Sequence, residues 1–267
     1  MTTGLMAGKR GLVMGVANDH SIAWGIATEL RKQGAELAFT YQGEAFGRRV
    51  KLLADSIGAK LLLPCDVEDI TTVDTVFDAV KAEWGKLDFL VHAIAFSDKN
   101  ELKGKYADTT RENFVRTMVI SCFSFTEIAR RAAGLMPGGG AMVTLTFGGS
   151  VRVMPNYNVM GVAKAALESS VRYLAADYGP QGIRVNAISA GPMRTLAGAG
   201  IGDARTMFNY HQSHAPLRRT ISLEEVGGAG LYLLSPLSGG VTGEIHYVDS
   251  GYNIISMPRP EDLKTGV

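Results

Sequence analysis

The sequence predicts a single α/β domain, residues 1–267, in which helices cover both faces of a parallel β-sheet. Short apolar runs typical of buried parallel strands alternate along the chain with longer segments of helical period. The 32 glycines concentrate at the ends of these strands, as in α/β chains that bind nucleotides. The chain is 46% hydrophobic and 20% charged, which suits one globular domain with a large core.

The composition argues against several classes of partner. The net charge of +1 offers no general electrostatic attraction to nucleic acid or to a membrane surface. No apolar run reaches the ~18–20 residues that span a bilayer, and the first residues, MTTGLMAGKRG, lack the apolar core of a signal peptide. The five histidines show no metal-ligand spacing, so no metal site is expected. Cys65 and Cys122 lie in apolar stretches and are expected to be reduced core thiols of a cytoplasmic protein.

The first predicted strand, KRGLVMG (9–15), runs into a glycine-containing turn and a helix that ends near Gln33. Ser21 is placed to cap the start of this helix, and Gly34 follows its end. A strand, a turn and a helix N-terminus in this order can bind a pyrophosphate through free backbone N–H groups. The spacing is not GxGxxG, so a tight turn without a ligand remains an alternative.

Three more strands are predicted at AELAFTY (35–41), KLLLPC (60–65) and LDFLVHA (87–93). Gln42 stands at the end of the second strand, where an acidic residue would bind an adenosine ribose, and its amide can bond ribose hydroxyls as donor and acceptor. Arg48 and Arg49 follow on the next helix, either as a solvated face or near a 2′-phosphate. Because no basic residue stands directly at the strand end, NAD is favoured over NADP.

The second half of the chain contains a tyrosine and a lysine in a regular relation. After a long helix predicted over 113–136 and a strand, AMVTLTF (141–147), Tyr157 and Lys164 stand seven residues apart at the head of another helix. At about 100° per residue both side chains lie on one helix face. A nearby ammonium favours the phenolate form, so the hydroxyl can donate a proton or a hydrogen bond. An isolated pair would more often be two exposed residues.

The sequence that follows this helix continues the α/β pattern. The segment GPQG (179–182) ends the helix, and IRVNAIS (183–189) is predicted to be the next strand. A capping box over 222–225 opens a further helix, and the last strand is predicted over 242–248. Small residues and glycine dominate 196–202.

These features together resemble the short-chain dehydrogenase/reductase superfamily: a Tyr and a Lys on a long helix, then GPxGIRVN and AGP. Most members place the tyrosine four residues before the lysine, where this chain has Met160. The segment YNVMGVAK, with its wider spacing, is similar to the enoyl-acyl-carrier-protein reductases of bacterial fatty-acid synthesis. The turn after the first strand also matches that family's pattern G-x-A-x-x-x-S-I-A-x-G-I-A. The resemblance covers about residues 5–257.

The resemblance implies a Rossmann-type fold and an enzyme that reduces trans-2-enoyl thioesters on acyl carrier protein with NADH. Tyr157 would hydrogen-bond the thioester oxygen, and Lys164 would hold the nicotinamide ribose. The implied cofactor-binding residues are Gly15, Ala17, Ser21, Ile22, Gln42, Asp66, Val67, Ala93, Ile94, Ala95, Lys164, Met193 and Thr195. The substrate would contact Phe147, Tyr157 and Ala95.

The family pattern implies several further features, and this sequence departs from it at one position. Most bacterial enoyl reductases have a second tyrosine where this chain has Phe147, which bears on substrate range and rate. His92 is expected beside the nucleotide and not at the reacting carbon. A substrate-covering loop is implied at about 195–215, and Arg194 and Arg205, which flank its glycine-rich part, would help to receive the acidic carrier protein. The two long helices rich in small residues imply a homotetramer.

Two other functions remain open at this point. One is a carbonyl reductase of the same superfamily, such as a β-ketoacyl reductase, against which Met160 argues. The other is a non-catalytic regulator that binds NAD, against which the intact Tyr157, Lys164 and Ser21 argue.

Overall fold

A computed structural model of the chain describes residues 4–196, 204–257 and 259. Its seven strands form one parallel sheet in the order β3-β2-β1-β4-β5-β6-β7. The strands are β1 (Arg10–Met14), β2 (Glu36–Tyr41), β3 (Leu61–Pro64), β4 (Phe89–His92), β5 (Gly140–Thr146), β6 (Ile183–Ala190) and β7 (Ile245–Val248). Each lies within three residues of its predicted position, so the predicted doubly wound sheet is confirmed.

Eight α-helices connect these strands within the described ranges. They are α1 (Ile22–Lys32), α2 (Gly43–Ser56), α3 (Ile70–Trp84), α4 (Arg111–Met118), α5 (Ser124–Gly134), α6 (Asn158–Tyr178), α7 (Ala204–His214) and α8 (Leu223–Leu234). The capping box predicted at the start of α8 is present, between Ser222 and Glu225. Cys65 and Cys122 are buried and free, as expected.

The single helix predicted over 113–136 is wrong in one respect, because a π-helical turn at Val119–Phe123 separates α4 from α5. Serine side chains bond backbone groups at this turn: the Ser124 hydroxyl donates to the Ile120 carbonyl at 2.7 Å, and the Ser121 hydroxyl bonds Phe96 across the loop after β4. Such bonds compete with the regular helical pattern. Single π-turns of this kind occur frequently near functional sites.

The core consists of two apolar layers, one on each face of the sheet. Successive strand residues point to opposite faces, so Leu12 and Met14 join one layer and Val13 joins the other. The first layer includes residues of α3, α5 and α6, and the second includes residues of α1, α2 and α8. The strand order reverses between β1 and β4, and a crevice at the carboxyl ends of such strands is where open α/β sheets bind ligands.

No helix in the described part of the chain is long and apolar enough to cross a membrane.

Candidate active site

A cleft of about 1210 Å³ opens at the carboxyl ends of the strands, where the strand order reverses. Every residue that the sequence predicted to bind cofactor or substrate lines it, from the turn after β1 to the segment after β6. The cleft is therefore long enough to extend from the end of β2, at Gln42, to the head of α6, at Tyr157.

The turn after β1 brings the backbone close to the floor of the cleft. Gly15 has a φ of 102°, and a Cβ atom there would lie 2.2 Å from the Ala93 carbonyl oxygen, so only glycine fits. Ser21 precedes α1 as predicted but makes no side-chain cap bond; its hydroxyl instead accepts the N–H groups of Ala17 and Asn18. The N–H groups of Trp24 and Gly25 bond the Ser21 carbonyl, so those of Ile22 and Ala23 at the start of α1 are left for an anion, and this cradle fits a pyrophosphate.

At the β2 end of the cleft, two of the predicted cofactor-binding residues are hydrogen-bonded to each other. The Gln42 amide nitrogen donates to the Asp66 carboxylate at 2.9 Å, so both polar side chains stand where an adenosine ribose would bind. Arg48, on the exposed face of α2, lies 3.6 Å from Glu44. The arrangement of polar groups therefore suits the ribose hydroxyls of NAD.

Sequence reasoning missed an ion pair in the wall of this end of the cleft. Arg116 of α4 donates through two nitrogens to Glu68 at 2.8–3.2 Å, and its guanidinium lies 4.4 Å from the centre of the Phe96 ring. All three residues line the cleft. Forty-eight residues separate Arg116 from Glu68, and no local motif joins residues so far apart in the chain.

Tyr157 immediately precedes α6, and 7% of its surface is exposed. Burial in apolar surroundings, with the charge of Glu168 as the second cause, raises the pKa of the Tyr157 phenol above its usual value. The expectation that a nearby ammonium would favour the phenolate is therefore wrong, because burial, which disfavours the charged form, is the main influence on this group. The hydroxyl stays protonated at neutral pH, and it can donate a hydrogen bond into the cleft.

Lys164 lies two turns further along α6 and is also buried. Its ammonium donates to the Leu145 carbonyl on β5 at 2.8 Å, and burial lowers its pKa to about 8. Most Lys164 side chains still carry a proton at pH 7. One of the three ammonium protons is used by Leu145, so the others can bond hydroxyls of a ligand in the cleft.

An apolar wall surrounds Tyr157. The rings of Phe147 and Tyr157 meet edge to face with centroids 5.2 Å apart, and Leu102, Val159 and Met160 pack in the same cluster. Met160, at the position of the usual superfamily tyrosine, is thus part of this wall and adds no hydroxyl. The wall can hold a hydrocarbon chain beside a single phenolic donor.

His92 lies behind the cleft at the end of β4. It is fully buried, and its two ring nitrogens lie 3.1 Å from the Thr144 hydroxyl and 3.0 Å from the Ser124 hydroxyl. Burial lowers its pKa to about 3. The ring is therefore neutral and held in the core, and it does not line the cleft; that it lies beside the nucleotide and not at the reacting carbon stays a prediction.

The segment after β6 closes one side of the cleft. Met193 and Thr195 line it, joined by a backbone bond of 2.8 Å, and Arg205 and Phe208 of α7 also line it. The exposed Arg194 guanidinium lies 4.9 Å from the centre of the Phe208 ring. The glycine-rich part of the predicted substrate-covering loop, 197–203, lies outside the described residues.

The site thus combines a protonated phenol, a buried ammonium and an apolar wall at one end of a cleft that suits a dinucleotide. A donor that stays protonated can stabilise an oxyanion, and an ammonium with spare protons can hold ribose hydroxyls. Among the described residues, no group of three or more His, Cys, Asp or Glu side chains is placed to hold a metal ion.

Comparisons with known proteins agree with this chemistry. Residues 15–253 match a family model described as enoyl-(acyl carrier protein) reductase. The chain is 76% identical over 261 residues to an NADH-dependent enoyl-acyl-carrier-protein reductase of Rhizobium meliloti, covering 98% of this chain and 97% of that protein.

Solved structures agree as well. The crystal structure of FabI from Candidatus Liberibacter asiaticus is 62% identical with a TM-score of 0.94, covering 96% of this chain and 99% of that one. The enoyl-acyl-carrier-protein reductase of Anaplasma phagocytophilum, solved with NAD, is 56% identical with a TM-score of 0.93, covering 97% and 99%.

Proposed function

The chain belongs to the enoyl-acyl-carrier-protein reductases, and we propose that Tyr157 and Lys164 carry the chemistry of its NADH-dependent reaction. That reaction converts a trans-2-enoyl thioester into the saturated acyl thioester in fatty-acid elongation. The names of the relatives leave the two alternatives, a β-ketoacyl reductase and a non-catalytic regulator, without support. The observation that carries the assignment of roles is the burial of both side chains in the same cleft.

Bound NADH supplies the hydride, which adds to the β-carbon of the enoyl group. Negative charge then develops on the thioester oxygen, and Tyr157 donates its hydrogen bond to that oxygen until a proton from solvent reaches the α-carbon and completes the saturated product. A donor already fixed by packing needs no reorganisation at that moment, and its contribution is expected to be about 3 kcal/mol. The raised pKa of the phenol suits this role, because the group must stay protonated to donate.

Lys164 holds the ribose next to the nicotinamide. Its bond to the Leu145 carbonyl fixes the direction of the ammonium, which leaves two donors for ribose hydroxyls. Met193 and Thr195, which line the cleft after β6, would orient the nicotinamide, and the start of α1 would receive the pyrophosphate. The acyl chain lies along the wall formed by Phe147 and its neighbours.

Two substitutions separate these roles. Tyr157→Phe should lower kcat by about 100-fold and leave the Kd for NADH nearly unchanged, because the lost bond matters only as charge develops. Lys164→Met should raise the Kd for NADH, because ribose hydroxyls are present in the ground state. Tyr106→Phe removes a hydroxyl from an exposed tyrosine that does not line the cleft and is the matched control. Full activity of Tyr157→Phe on short and long enoyl thioesters would refute its role.

Further proposals concern the extent of the catalytic domain, its location in the cell and its contact with acyl carrier protein. We propose that residues 1–267 act as one catalytic domain in the cytoplasm, with about 195–215 covering the substrate. Arg194 and Arg205, both exposed at the cleft, would attract the acidic surface of acyl carrier protein. The function as a reductase does not depend on these points.

A homotetramer is proposed from the outer faces of the long helices. Val115 of α4 is 53% exposed, Phe123 of the π-turn 51% and Tyr173 of α6 73%, so each of these helical segments presents a large apolar side chain to solvent. Isologous pairing of these faces would cover it. Light scattering at micromolar concentration should give four times the mass of the chain, and a monomer would refute the proposal.

A further inference from the structure

A buried carboxylate lies one turn beyond Lys164 on the same helix. Glu168 is 5% exposed, and no role was predicted for it from the sequence. Buried carboxylates are rare and carry a high desolvation cost unless hydrogen bonds compensate it. The contacts of Glu168 therefore indicate what it stabilises.

Two hydroxyl groups donate to the same oxygen of this carboxylate, Oε1. One is that of Thr146, the last residue of β5, at 2.7 Å, and the other is that of Ser150, the last residue of the short 3₁₀ turn Gly148–Ser150. Glu168 thus holds both ends of the segment Phe147–Gly149. We call the four residues Phe147–Ser150 the β5 turn.

The β5 turn is in direct contact with Tyr157. A Cβ atom at Gly149 would lie 2.4 Å from Cδ1 of the tyrosine ring, so the ring rests against the Gly149 backbone. The Phe147 ring meets the same tyrosine edge to face at 5.2 Å. A Cβ atom at Gly161 would lie 2.8 Å from the Gly149 carbonyl oxygen, which shows that α6 itself packs on the turn. The position of the Tyr157 ring thus depends on the position of the β5 turn.

We propose that Glu168 is a positioning residue for the reaction: through Thr146 and Ser150 it holds the β5 turn, and the turn holds the Tyr157 hydroxyl where the thioester oxygen must lie. This inference rests on the proposed role of Tyr157. It assigns to Glu168 no contact with substrate or cofactor, since the residue does not line the cleft.

The charge of Glu168 is a separate influence that the experiment must distinguish from its hydrogen bonds. That charge contributes, after burial, to the raised pKa of Tyr157. Glu168→Gln removes the charge and keeps an acceptor oxygen of the same reach, whereas Glu168→Ala removes both. If the carboxylate acts by holding the turn, the glutamine variant should keep kcat within about threefold of the natural protein. If it acts by charge, the two variants should be equally impaired.

The decisive measurement is a double-mutant cycle between Glu168 and Tyr157, read as kcat with a saturating long-chain enoyl thioester. Glu168→Ala alone should lower kcat at least tenfold, because a displacement of about 1 Å can cost about 100-fold. In the Tyr157→Phe background the same substitution should change kcat by less than about twofold, since no hydroxyl remains to be positioned. The Kd for NADH should stay within about twofold throughout. Asp177→Ala, which removes an exposed carboxylate from α6, should change neither constant.

The results of this cycle distinguish a failure of the role proposed for Tyr157 from a failure of the role proposed for Glu168. If Tyr157→Phe alone is fully active, the proposed function of Tyr157 fails before Glu168 is tested. If Tyr157→Phe is impaired but Glu168→Ala lowers kcat equally in both backgrounds, Glu168 acts independently of the hydroxyl and this inference is overturned. Equal impairment of the Gln and Ala variants also overturns it. Should Glu168→Ala fail to fold, Ser150→Ala removes one of the two bonds at a half-buried site, and the same cycle applies with a smaller expected loss.

Discussion

The buried amine of Lys164 should make the stability of the cofactor-free protein depend on pH in a way that a single substitution removes. Its pKa is lowered from 10.5 to about 8 by burial, so between these values the unfolded chain binds more protons than the folded one. Stability contributed by this group therefore rises as the pH rises through that interval. It is smallest below pH 8, where the folded protein must hold a buried ammonium.

The size of this stabilisation follows from the difference between the pKa values of Lys164 in the unfolded and folded chain. At about 1.36 kcal/mol for each pH unit, the full rise is about 3 kcal/mol. With an unfolding entropy of about 2.1 cal/mol/K per residue, this corresponds to a shift in Tm of about 6 °C for a chain of 267 residues. The rise should begin near pH 8, and about three quarters of it should be present by pH 10.

The assay compares the Tm of the natural protein with that of Lys164→Met from pH 7 to pH 10. Methionine does not titrate, so the difference in Tm between the two proteins should change with pH by several degrees in favour of the natural protein. Other groups, such as Cys65, whose pKa burial raises to about 11, titrate in both proteins and cancel. Lys51→Met, at an exposed lysine of α2, is the matched control and should follow the natural protein. Parallel curves for the natural protein and Lys164→Met would refute the depressed pKa.

Three further predictions concern the wall of the site and its mouth. Phe147→Tyr adds a hydroxyl beside Tyr157 and should change the ratio of short-chain to long-chain turnover more than the Kd for NADH; an unchanged ratio would place the acyl chain elsewhere. Gly149→Ala should lower kcat because its Cβ would meet the Tyr157 ring at 2.4 Å, whereas Gly148→Ala, with no atom within 4 Å of its Cβ, should not. Equal kcat values for the two alanine variants would show that the packing of Gly149 against the Tyr157 ring does not affect catalysis. Arg205→Glu should raise KM for the carrier-linked substrate and spare a coenzyme A thioester at high salt; equal effects on both would exclude a carrier contact.

The local sequence pattern was sufficient to predict the strands and the glycine turn that form the cofactor cleft. The five inner strands are apolar runs that are largely buried on both faces, the edge strands β3 and β7 are half-buried, and the turn after β1 contains Gly15, a residue with a special backbone demand. Gln42 could be assigned to the cofactor site from its position at the end of the second strand, whereas Asp66 was assigned only through the family resemblance; the two side chains are hydrogen-bonded in the structure.

The π-turn between α4 and α5 could not be predicted in this way. It depends on serine hydroxyls that bond backbone carbonyls, one of them in the loop after β4, and the residues of the turn have an ordinary helical pattern. The ion pair of Arg116 and Glu68 could not be predicted for a similar reason, because these two residues are distant in the chain and come together only in the folded protein.

The sequence by itself determined the sheet, the glycine turn and the placement of Tyr157 and Lys164 at the head of one helix, because periodicity and glycine placement are properties of neighbouring residues. Only the tertiary structure decided the state of those two groups. Burial keeps the phenol protonated and lowers the pKa of the ammonium to about 8, against the expectation from their proximity alone. Desolvation depends on everything that surrounds a group, including the β5 turn and Glu168, and those surroundings come from parts of the chain that meet only in the folded protein.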